Sequence, residues 1–174
     1  MSRSETGSRG TASTEELLRC VWTLGSSNRT MAEFLAVLQA YRIRTLADVR
    51  RFPVSARYPH FARETLARSL HEAGIRYVHF GEGLGGFRTG GFEDYMATPE
   101  FARGLRSLEL TARRSPTAIM CAERLPWQCH RRFIGMALQR RGREVVHVID
   151  EDRIWSPHGR EVPELSFGES RSGN

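Results

Sequence analysis

The stretch with the greatest chemical capacity in the sequence is Ala118–Arg132, which reads AIMCAERLPWQCHRR. It contains two of the three cysteines in the chain, together with a glutamate, a histidine and three arginines. A cysteine thiolate is a nucleophile, and nearby positive charge or a helix N-terminus stabilises it. Carboxylate and imidazole groups can move protons beside such a nucleophile. The stretch can therefore be a metal site, a nucleophile site, or only a strand that leads into a basic helix.

Four residues of this stretch have side chains of types that bind zinc: Cys121, Glu123, Cys129 and His130. Their Cys-x7-Cys-His spacing is not that of a standard zinc site, and adjacent helical residues such as Cys129 and His130 point about 100° apart. The third cysteine, Cys20, is expected at the opposite edge of the sheet and cannot complete a tetrahedron. We therefore predict neither a metal nor another cofactor.

A nucleophile site explains the stretch better, because Cys121 stands at the carboxyl end of a predicted strand, directly before a loop and a helix. Backbone N–H groups and the helix dipole stabilise a thiolate or an anion at such a position. We predict Cys121 as the nucleophile, Glu123 and His130 as the groups that move protons, and Arg131 as an anion ligand. The alternative is structural: Cys121 is a small buried residue that ends a strand, and Glu123 orients the arginines.

Two further loops carry polar side chains directly after predicted strands. The loop DVRRFPVS contributes Asp48, Arg50 and Ser55, and the loop GSSNR contributes Ser27 and Arg29. An aspartate at a strand end can bind a ribose hydroxyl, or it can hold a neighbouring arginine. Guanidinium groups match phosphate and carboxylate geometry. We predict that these five residues bind substrate.

The elements that position these residues follow from hydrophobic periodicity. Strands are predicted over 20–24, 45–49, 76–80, 117–120 and 144–149. Helices are predicted from a Thr30 cap with Glu33 in capping-box position, around 65–70 with an end at Gly74, over 92–114 with an interruption near 98–99, and over 126–141 with a stop at Gly142. A glycine-rich loop covers 81–91, and residues 153–160 are expected to form a small terminal hairpin.

Strands that alternate with single helices predict βαβ units, and hence a single three-layer α/β domain with a mostly parallel sheet of about five strands. Ligands of such sheets bind outside the carboxyl ends of the strands, where four loops fall: GSSNR, RRFPVSARYP, GEGLGG and CAERLPWQCHR. Asp48 and Cys121 are therefore expected at the same edge of the sheet. The domain is predicted to cover 15–164, and the Ser/Gly/Arg-rich segments 1–14 and 165–174 are predicted to be disordered tails.

The basic residues of the chain are all arginine: the formal net charge is +6, and there is no lysine. A lysine Schiff base is therefore excluded, and the charge favours anionic partners. An odd number of cysteines, three, suits free thiols in a reducing cytoplasm. No apolar run approaches the ~18 residues of a membrane span, and no apolar segment of a secretory signal follows the first basic residues. A cytoplasmic protein without membrane contact is predicted.

Several motifs give the sequence a resemblance to a known family. TLGSSNR, DVRRFPVSARYPHF, YVHFGEGLGG, FEDYM and MCAERLPWQCHR occur in this order. Over about residues 20–150, the sequence resembles the family catalogued as domain of unknown function 488. Its most specific part is the M-C-A-E-x-x-P-x-x-C-H-R pattern at 120–131. Ser26 stands where a histidine is expected in many relatives. The resemblance implies an α/β domain whose shared polar residues gather on one edge, and it implies no reaction.

Three functions are compatible with these observations. The first is a cytosolic enzyme that uses Cys121 on an anionic, phosphate-bearing substrate, such as a nucleotide or a nucleic-acid base. The second is a non-catalytic nucleic-acid-binding module, in which aromatic residues near arginines stack on bases. The candidates for stacking are Phe52, Tyr58, Phe61 and Trp127. The third is a small metal-binding or redox protein that uses Cys121 and Cys129. The sequence decides neither between them nor the substrate or oligomeric state.

Overall fold

The computed structural model describes residues 12–156, and within this range the chain forms six strands and seven α-helices. The strands are β1 (Cys20–Gly25), β2 (Thr45–Asp48), β3 (Arg76–His79), β4 (Thr117–Cys121), β5 (Glu144–Asp150) and β6 (Arg153–Trp155). They form one open sheet in the order β3-β2-β4-β1-β5-β6. All pairs are parallel except β5 with β6, which is antiparallel. The predicted mostly parallel sheet is confirmed.

The helices are α1 (Thr14–Arg19), α2 (Met31–Ala40), α3 (Arg63–Glu72), α4 (Gly81–Leu84), α5 (Phe92–Tyr95), α6 (Pro99–Arg114) and α7 (Arg131–Arg140). Single 3₁₀ turns cover Pro59–Phe61 and Pro126–Gln128. Every helix within residues 12–156 is too short or too polar to cross a membrane.

Helices cover both faces of the sheet and create two separate cores. Alternation along β1 sends Trp22 and Leu24 into one core and Val21 into the other. The first core contains apolar residues of α2 and α3, and the second contains residues of α4, α6 and α7. The molecule therefore has the predicted three layers. We refer to the two sides as the α2–α3 face and the α6–α7 face.

Local sequence signals explain where several helices begin and end. Thr30 and Glu33 form the predicted capping box at the start of α2: the Thr30 hydroxyl accepts from the Glu33 N–H at 3.2 Å, and the Thr30 N–H donates to the Glu33 carboxylate at 2.7 Å. Gly74 and Gly142 follow α3 and α7 with φ of 73° and 82°, which glycine adopts without a steric cost. The predicted interruption at 98–99 is also present, because Thr98 caps a new helix, α6.

The helix predicted over 126–141 differs from the structure in a way that matters for the site. Pro126 begins a 3₁₀ turn, Cys129 is extended with φ −135° and ψ 149°, and α7 starts only at Arg131. Hydrophobic periodicity does not detect this break, because it reports the spacing of apolar residues and not the backbone torsions of a single residue. The predicted glycine-rich loop at 81–91 likewise contains the short helix α4.

The ends of the described range add two elements. Ser13, which falls in the predicted tail 1–14, caps α1 through a capping box with Glu16, so the ordered structure begins before residue 15. The hairpin predicted within 153–160 differs from the structure, in which β6 pairs antiparallel with the preceding strand β5. The remainder of that hairpin, the rest of the N-terminal tail and the predicted tail 165–174 lie outside the described residues.

Candidate active site

The carboxyl ends of β1, β2 and β4 meet at one edge of the sheet. Gly25 is in register with Cys121, and Asp48 is in register with Met120. Asp48 and Cys121 are therefore at the same edge, as predicted. Because side chains alternate along a strand, Cys121 points to the opposite face from Met120. Asp48 thus lies on the α2–α3 face and Cys121 on the α6–α7 face, so a common edge does not place carboxylate and thiol in one pocket.

Backbone hydrogen bonds join the loop after β1 to the loop after β4. Ser26 and Ser27 donate their N–H groups to the carbonyl oxygens of Cys121 and of the residue after it, each at 2.8 Å. Gly25 allows this approach, because a Cβ at Gly25 would lie 1.8 Å from the carbonyl oxygen of Glu123. The two loops therefore hold the backbone that follows Cys121 in one position.

Cys121 and Cys129 form a buried thiol pair in front of α7. Their exposed fractions are 2% and 9%. The Cys129 sulfur accepts a hydrogen bond from the backbone N–H of Arg131, at 3.5 Å, and lies 3.6 Å from Nδ1 of His130. Cys129, more than Cys121, thus occupies the position at a helix N-terminus that the sequence assigned to Cys121.

The thiol pKa values move in opposite directions. A hydrogen bond from the Cys121 thiol, with others from His130 and the Arg131 backbone, overcomes burial and lowers the pKa of Cys129 to about 4. Burial raises the pKa of Cys121 well above its ordinary value, and the Arg131 guanidinium opposes this only in part. Burial, followed by the charge of Glu144, raises the pKa of Cys20 to about 12. Of the three thiols, Cys129 is therefore the one whose surroundings favour the thiolate.

Arg131 is fully buried and connects the thiol pair to its surroundings. Its guanidinium contacts the Cys121 sulfur and donates to the backbone carbonyl oxygens of Glu123 and Arg124. Its Nε donates to Oγ1 of Thr23 at 3.3 Å. All three nitrogens of the Arg131 guanidinium therefore have acceptors within the protein. The contacts support a structural role for Arg131, and its predicted role as an anion ligand stays a prediction.

The polar network continues from Arg131 across β1 to β5. Thr23 Oγ1 lies 2.6 Å from Nδ1 of His147, which is buried on the same face. Burial, followed by the nearby charge of Arg131, lowers the pKa of His147 to about 4. His147 is therefore neutral at pH 7.

On the α2–α3 face, Asp48 forms a dense ion pair with Arg50. The Asp48 carboxylate is fully buried and accepts three hydrogen bonds from Arg50: from its backbone N–H at 3.1 Å, Nε at 2.9 Å and Nη2 at 2.7 Å. The Tyr77 hydroxyl donates a further bond at 2.7 Å. Burial and this carboxylate together raise the pKa of Tyr77. Asp48 therefore holds Arg50 in place, and its predicted role in substrate binding stays a prediction.

Arg29 joins the carboxyl ends of β1 and β5. Its guanidinium donates to the carbonyl oxygens of Gly25 and Ile149 and lies 3.4 Å from the Asp150 carboxylate. Arg29 is buried, so these acceptors hold its side chain within the protein.

The remaining predicted residues lie at the surface of the same edge. Ser27 is half-buried and has φ 51°, an unusual backbone conformation for a serine. Ser55 accepts a hydrogen bond from the Tyr58 N–H at 3.1 Å and thereby fixes a turn. The Glu123 residue is exposed, while its backbone carbonyl faces Arg131. The structure thus brings all nine predicted site residues to one edge, on two faces, and their roles in catalysis and binding stay predictions.

A groove of about 600 Å³ opens at the β1 and β5 end of this edge. Its charged residues are Arg29, Glu33, Arg124, Asp150, Glu151 and Asp152. Four carboxylates against two guanidinium groups make this groove unfavourable for an anion. Within residues 12–156, no three His, Cys, Asp or Glu side chains are grouped as a metal site would require.

The aromatic residues considered for base stacking fall into two groups. Phe61 is buried in the core against Phe34, at a ring-centroid distance of 5.1 Å, so it cannot stack on a base. Phe52 and Trp127 are exposed, and Tyr58 is half-buried. The interpretation of Phe61 as a stacking platform is wrong because its ring completes the core between α2 and the sheet.

A family model matches residues 30–91 and 87–138, which together make up more than half of the chain. Its description is domain of unknown function DUF488. The chain belongs to this family. No curated protein and no solved structure matches it.

The DUF488 match includes the polar residues of two loops and leaves out those of the first. Asp48, Arg50 and Ser55 lie in the first matched segment, and the thiol pair with Arg131 lies in the second. Ser27 and Arg29 precede the match, and β5 with His147 follows it.

Sequence reasoning missed three residues that shape this DUF488 site. The sequence pattern predicts Cys129 only as a zinc or redox partner, although a cysteine just before the start of a basic helix is placed to be a thiolate. Thr23 and His147 were not considered, although each is a polar residue within an otherwise apolar strand. A buried polar group needs a hydrogen-bond partner, and this requirement was the signal that could have identified both.

Proposed function

We propose that this protein is a cytoplasmic thiol-dependent enzyme in which Cys129 is the nucleophile and the substrate is anionic. The observation that carries the proposal is the position of the Cys129 sulfur, before the first turn of α7 and beside His130. The formal net charge of +6 supports an anionic, phosphate-bearing substrate. Three free cysteines suit a reducing compartment.

His130 is placed to handle the proton of the nucleophile. Its Nε2 lies 3.2 Å from the carbonyl oxygen of Val49, which can only accept, so Nε2 carries a proton. Nδ1 then exchanges the remaining proton with the Cys129 sulfur. Phe92 packs against the imidazole at a centroid distance of 5.1 Å, and Gly86 leaves room for the ring. The arrangement supports a thiolate–imidazolium pair as the reactive state.

In the proposed step, the Cys129 thiolate forms a bond to the electrophilic atom of the substrate while the bond to the leaving group breaks. The proton on Nδ1 of His130 passes to the leaving group. Cys121 donates a hydrogen bond to the thiolate, and so does the backbone N–H of Arg131, whose guanidinium contacts the Cys121 sulfur. The sequence favours Cys121 as the nucleophile, but the geometry favours Cys129, which is less buried and closer to the helix N-terminus. Glu123 remains a proposed proton carrier at the surface.

Alkylation with iodoacetamide followed by peptide mapping tests this assignment. Cys129 should be the first cysteine to label in the folded protein. Its rate should rise much less with pH between pH 6 and 8 than that of an ordinary thiol, because hydrogen bonds from Cys121 and His130 lower its pKa. An ordinary thiol, with a pKa of about 8.5, reacts roughly tenfold faster for each pH unit over this range.

Cys20 supplies the internal control, since it is buried and protonated over the same range. The denatured protein should label all three cysteines at similar rates. A tenfold rise in the Cys129 rate per pH unit would contradict the proposal. If Cys121 labels first instead, the nucleophile is the residue that the sequence alone favours.

A second function, reversible dithiol oxidation, is supported by the contact between the Cys121 and Cys129 side chains. The Cys129 thiolate would attack a disulfide such as oxidised glutathione and release one glutathione thiol. Cys121 would then displace the second glutathione and form a Cys121–Cys129 disulfide, so two electrons pass to the glutathione. Non-reducing peptide mapping after this treatment should show the two peptides linked. A stable mixed disulfide at Cys129 without linkage would exclude this function.

A further inference from the structure

A second concave surface lies away from the thiol pair, between the outer side of α7 and the β5–β6 hairpin. Its volume is about 560 Å³, within the range of small-molecule sites. Seven residues line it: Trp127, Arg132, Met136, Gln139, Arg140, His147 and Trp155. We call this surface the tryptophan pocket. None of its residues belongs to the predicted site, and only His147 belongs to the network described above.

The walls of the tryptophan pocket are two exposed indole rings. Trp127 and Trp155 have exposed fractions of 45% and 41%, and their centroids are 5.9 Å apart at an interplanar angle of 78°. Met136 adds an exposed apolar side chain from α7. Exposed tryptophans that line one concavity are typical of a site for a planar ring, because aromatic faces stack on nucleobases.

The floor of the pocket holds a buried hydrogen-bond donor. His147 has an exposed fraction of 2% and lines the pocket, with its ring 5.2 Å from that of Trp155. Arg131 donates to Thr23 Oγ1, so the Thr23 hydroxyl hydrogen is free to point at Nδ1 of His147. Nδ1 then accepts, and the proton of the neutral ring sits on Nε2. Among residues 12–156, Nε2 of His147 has no hydrogen-bond partner.

The charged side chains that line the pocket, Arg132 and Arg140, are both positive. Arg132 and Arg140 lie about two turns apart on the outer side of α7, and no carboxylate is among the lining residues. Arg132 is held by a hydrogen bond from its guanidinium to the carbonyl oxygen of Trp127, at 3.1 Å. Arg140 is exposed and has no ion-pair partner among the described residues. An anionic group at the rim is therefore favoured.

From these three features, we infer that the tryptophan pocket binds a nucleotide unit. The base stacks on the exposed indoles, an acceptor on the base receives the His147 Nε2–H, and the phosphate lies against Arg140 or Arg132. The inference does not rest on the proposed thiol chemistry, because the pocket and the thiol pair share no residue. The unit can belong to a free mononucleotide or to a single-stranded nucleic acid, and both present the same base and phosphate.

Calorimetric titration of the full chain with AMP, adenosine, ribose 5-phosphate and a short oligodeoxyadenylate tests the inference. AMP should bind, and adenosine and ribose 5-phosphate should each bind at least roughly tenfold more weakly, since each lacks one recognised group. Tighter binding of the oligodeoxyadenylate than of AMP, with a steep salt dependence, would identify single strands as the source. If the oligodeoxyadenylate binds no more tightly than AMP, the natural ligand is the free nucleotide.

Three variants connect binding to the pocket. Trp155→Ala should weaken AMP binding roughly tenfold through loss of stacking. Arg140→Gln should weaken binding of AMP but not of adenosine. Arg68→Gln, an exposed charge-matched control on α3 at the opposite face, should change nothing. No binding of AMP or of the oligonucleotide at millimolar concentration would overturn the inference, as would AMP binding that both pocket variants leave unchanged. These binding results do not bear on thiol alkylation, so the nucleotide inference and the proposed thiol chemistry can each be rejected without the other.

Discussion

Three buried arginines stabilise the carboxyl edge of the sheet: Arg29 and Arg131 through acceptors on other segments, and Arg50 through a carboxylate two residues away. Arg29 bonds the ends of β1 and β5, Arg50 bonds Asp48, and Arg131 bonds the loop after β4. A planar guanidinium with five donors can satisfy several carbonyl oxygens at once, and a lysine cannot. The high arginine content of the sequence indicates anionic partners. Some of these arginines, however, have a structural role inside the fold. The exposed arginines are the better candidates for ligands.

The Asp48–Arg50 pair gives a direct test of this structural role. Asp48→Asn keeps the shape but removes the charge that compensates a nearly buried guanidinium. We expect the free energy of unfolding to fall by about 3–5 kcal/mol, the cost of breaking a buried pair from one side. Urea unfolding at pH 7 measures it.

The matched control is Glu100→Gln, which removes an exposed ion pair with Arg103 on α6. This change should leave the free energy of unfolding nearly unchanged, because an exposed ion pair contributes little to stability. If Asp48→Asn costs no more than the control, Arg50 does not depend on Asp48, and a ligand-binding role for both becomes the better explanation.

At the scale of elements, the start of α7 decides which thiol is activated. A helix that began at Pro126 would direct its N-terminal N–H groups towards the loop after Cys121. In the structure the extended Cys129 delays the helix to Arg131, so the N–H groups serve Cys129 instead. Apolar spacing identified the strands and the helices α2, α3 and α6, because each buries one regular face. It could not place this break, since backbone torsions at a single residue leave no periodic signal.

Other differences between sequence and structure have equally local causes. α1 is too short for a helical period, although Ser13 and Glu16 carry the capping-box spacing that could have identified it. The common edge of Asp48 and Cys121 followed from strand order alone. Their separation onto opposite faces depends on the register of β2 with β4, which a single sequence does not determine.

The junction between the loops after β1 and β4 can be tested through Gly25. A Gly25→Ala side chain would overlap the Glu123 carbonyl, so the two loops must separate. We expect a loss of roughly 3 kcal/mol or more in unfolding free energy, and faster alkylation of Cys121 as its loop opens. Urea unfolding and peptide mapping measure the two effects.

Gly74→Ala separates crowding from backbone strain. Gly74 has open space around its Cβ position but φ 73°, so alanine there should cost only about 1 kcal/mol and leave labelling unchanged. Equal losses for both glycines would show that the close approach at Gly25 does not hold the loops together.

For the whole molecule, His147 links stability to pH. Its folded pKa of about 4 lies below the ordinary value of about 6.5, so the unfolded chain binds a proton that the folded protein excludes. The stability that neutral His147 contributes is therefore fully present above about pH 6.5. It is lost as the pH falls towards 4. Because folding lowers the pKa of Cys129 as well, this residue also makes the protein less stable as the pH falls. Its contribution begins to be lost near the pKa of the unfolded-state thiol, about 8.5.

His147→Gln should reduce this pH dependence. Between pH 7 and 4.5 the wild-type protein should lose about 2 kcal/mol more unfolding free energy than the variant, whatever the variant costs at pH 7. Urea titrations at several pH values measure the difference in slope. His71→Gln, at an exposed position on α3, should keep the wild-type slope. A variant slope equal to that of the wild type would mean that His147 titrates normally in the folded protein.

The strand order β3-β2-β4-β1-β5-β6 has a consequence for how the chain is synthesised. Among the strands of residues 12–156, β1 is synthesised first, yet it pairs with β4 and β5, which are synthesised much later. β2 and β3 can pair early through α3, whereas β1 must wait until residue 121 has emerged. Such distant pairing is slow and leaves the apolar segment Cys20–Gly25 open to association with other nascent chains. Chaperone occupancy during translation should therefore persist until β4 arrives, and the Gly25–Cys121 junction forms in that same late event.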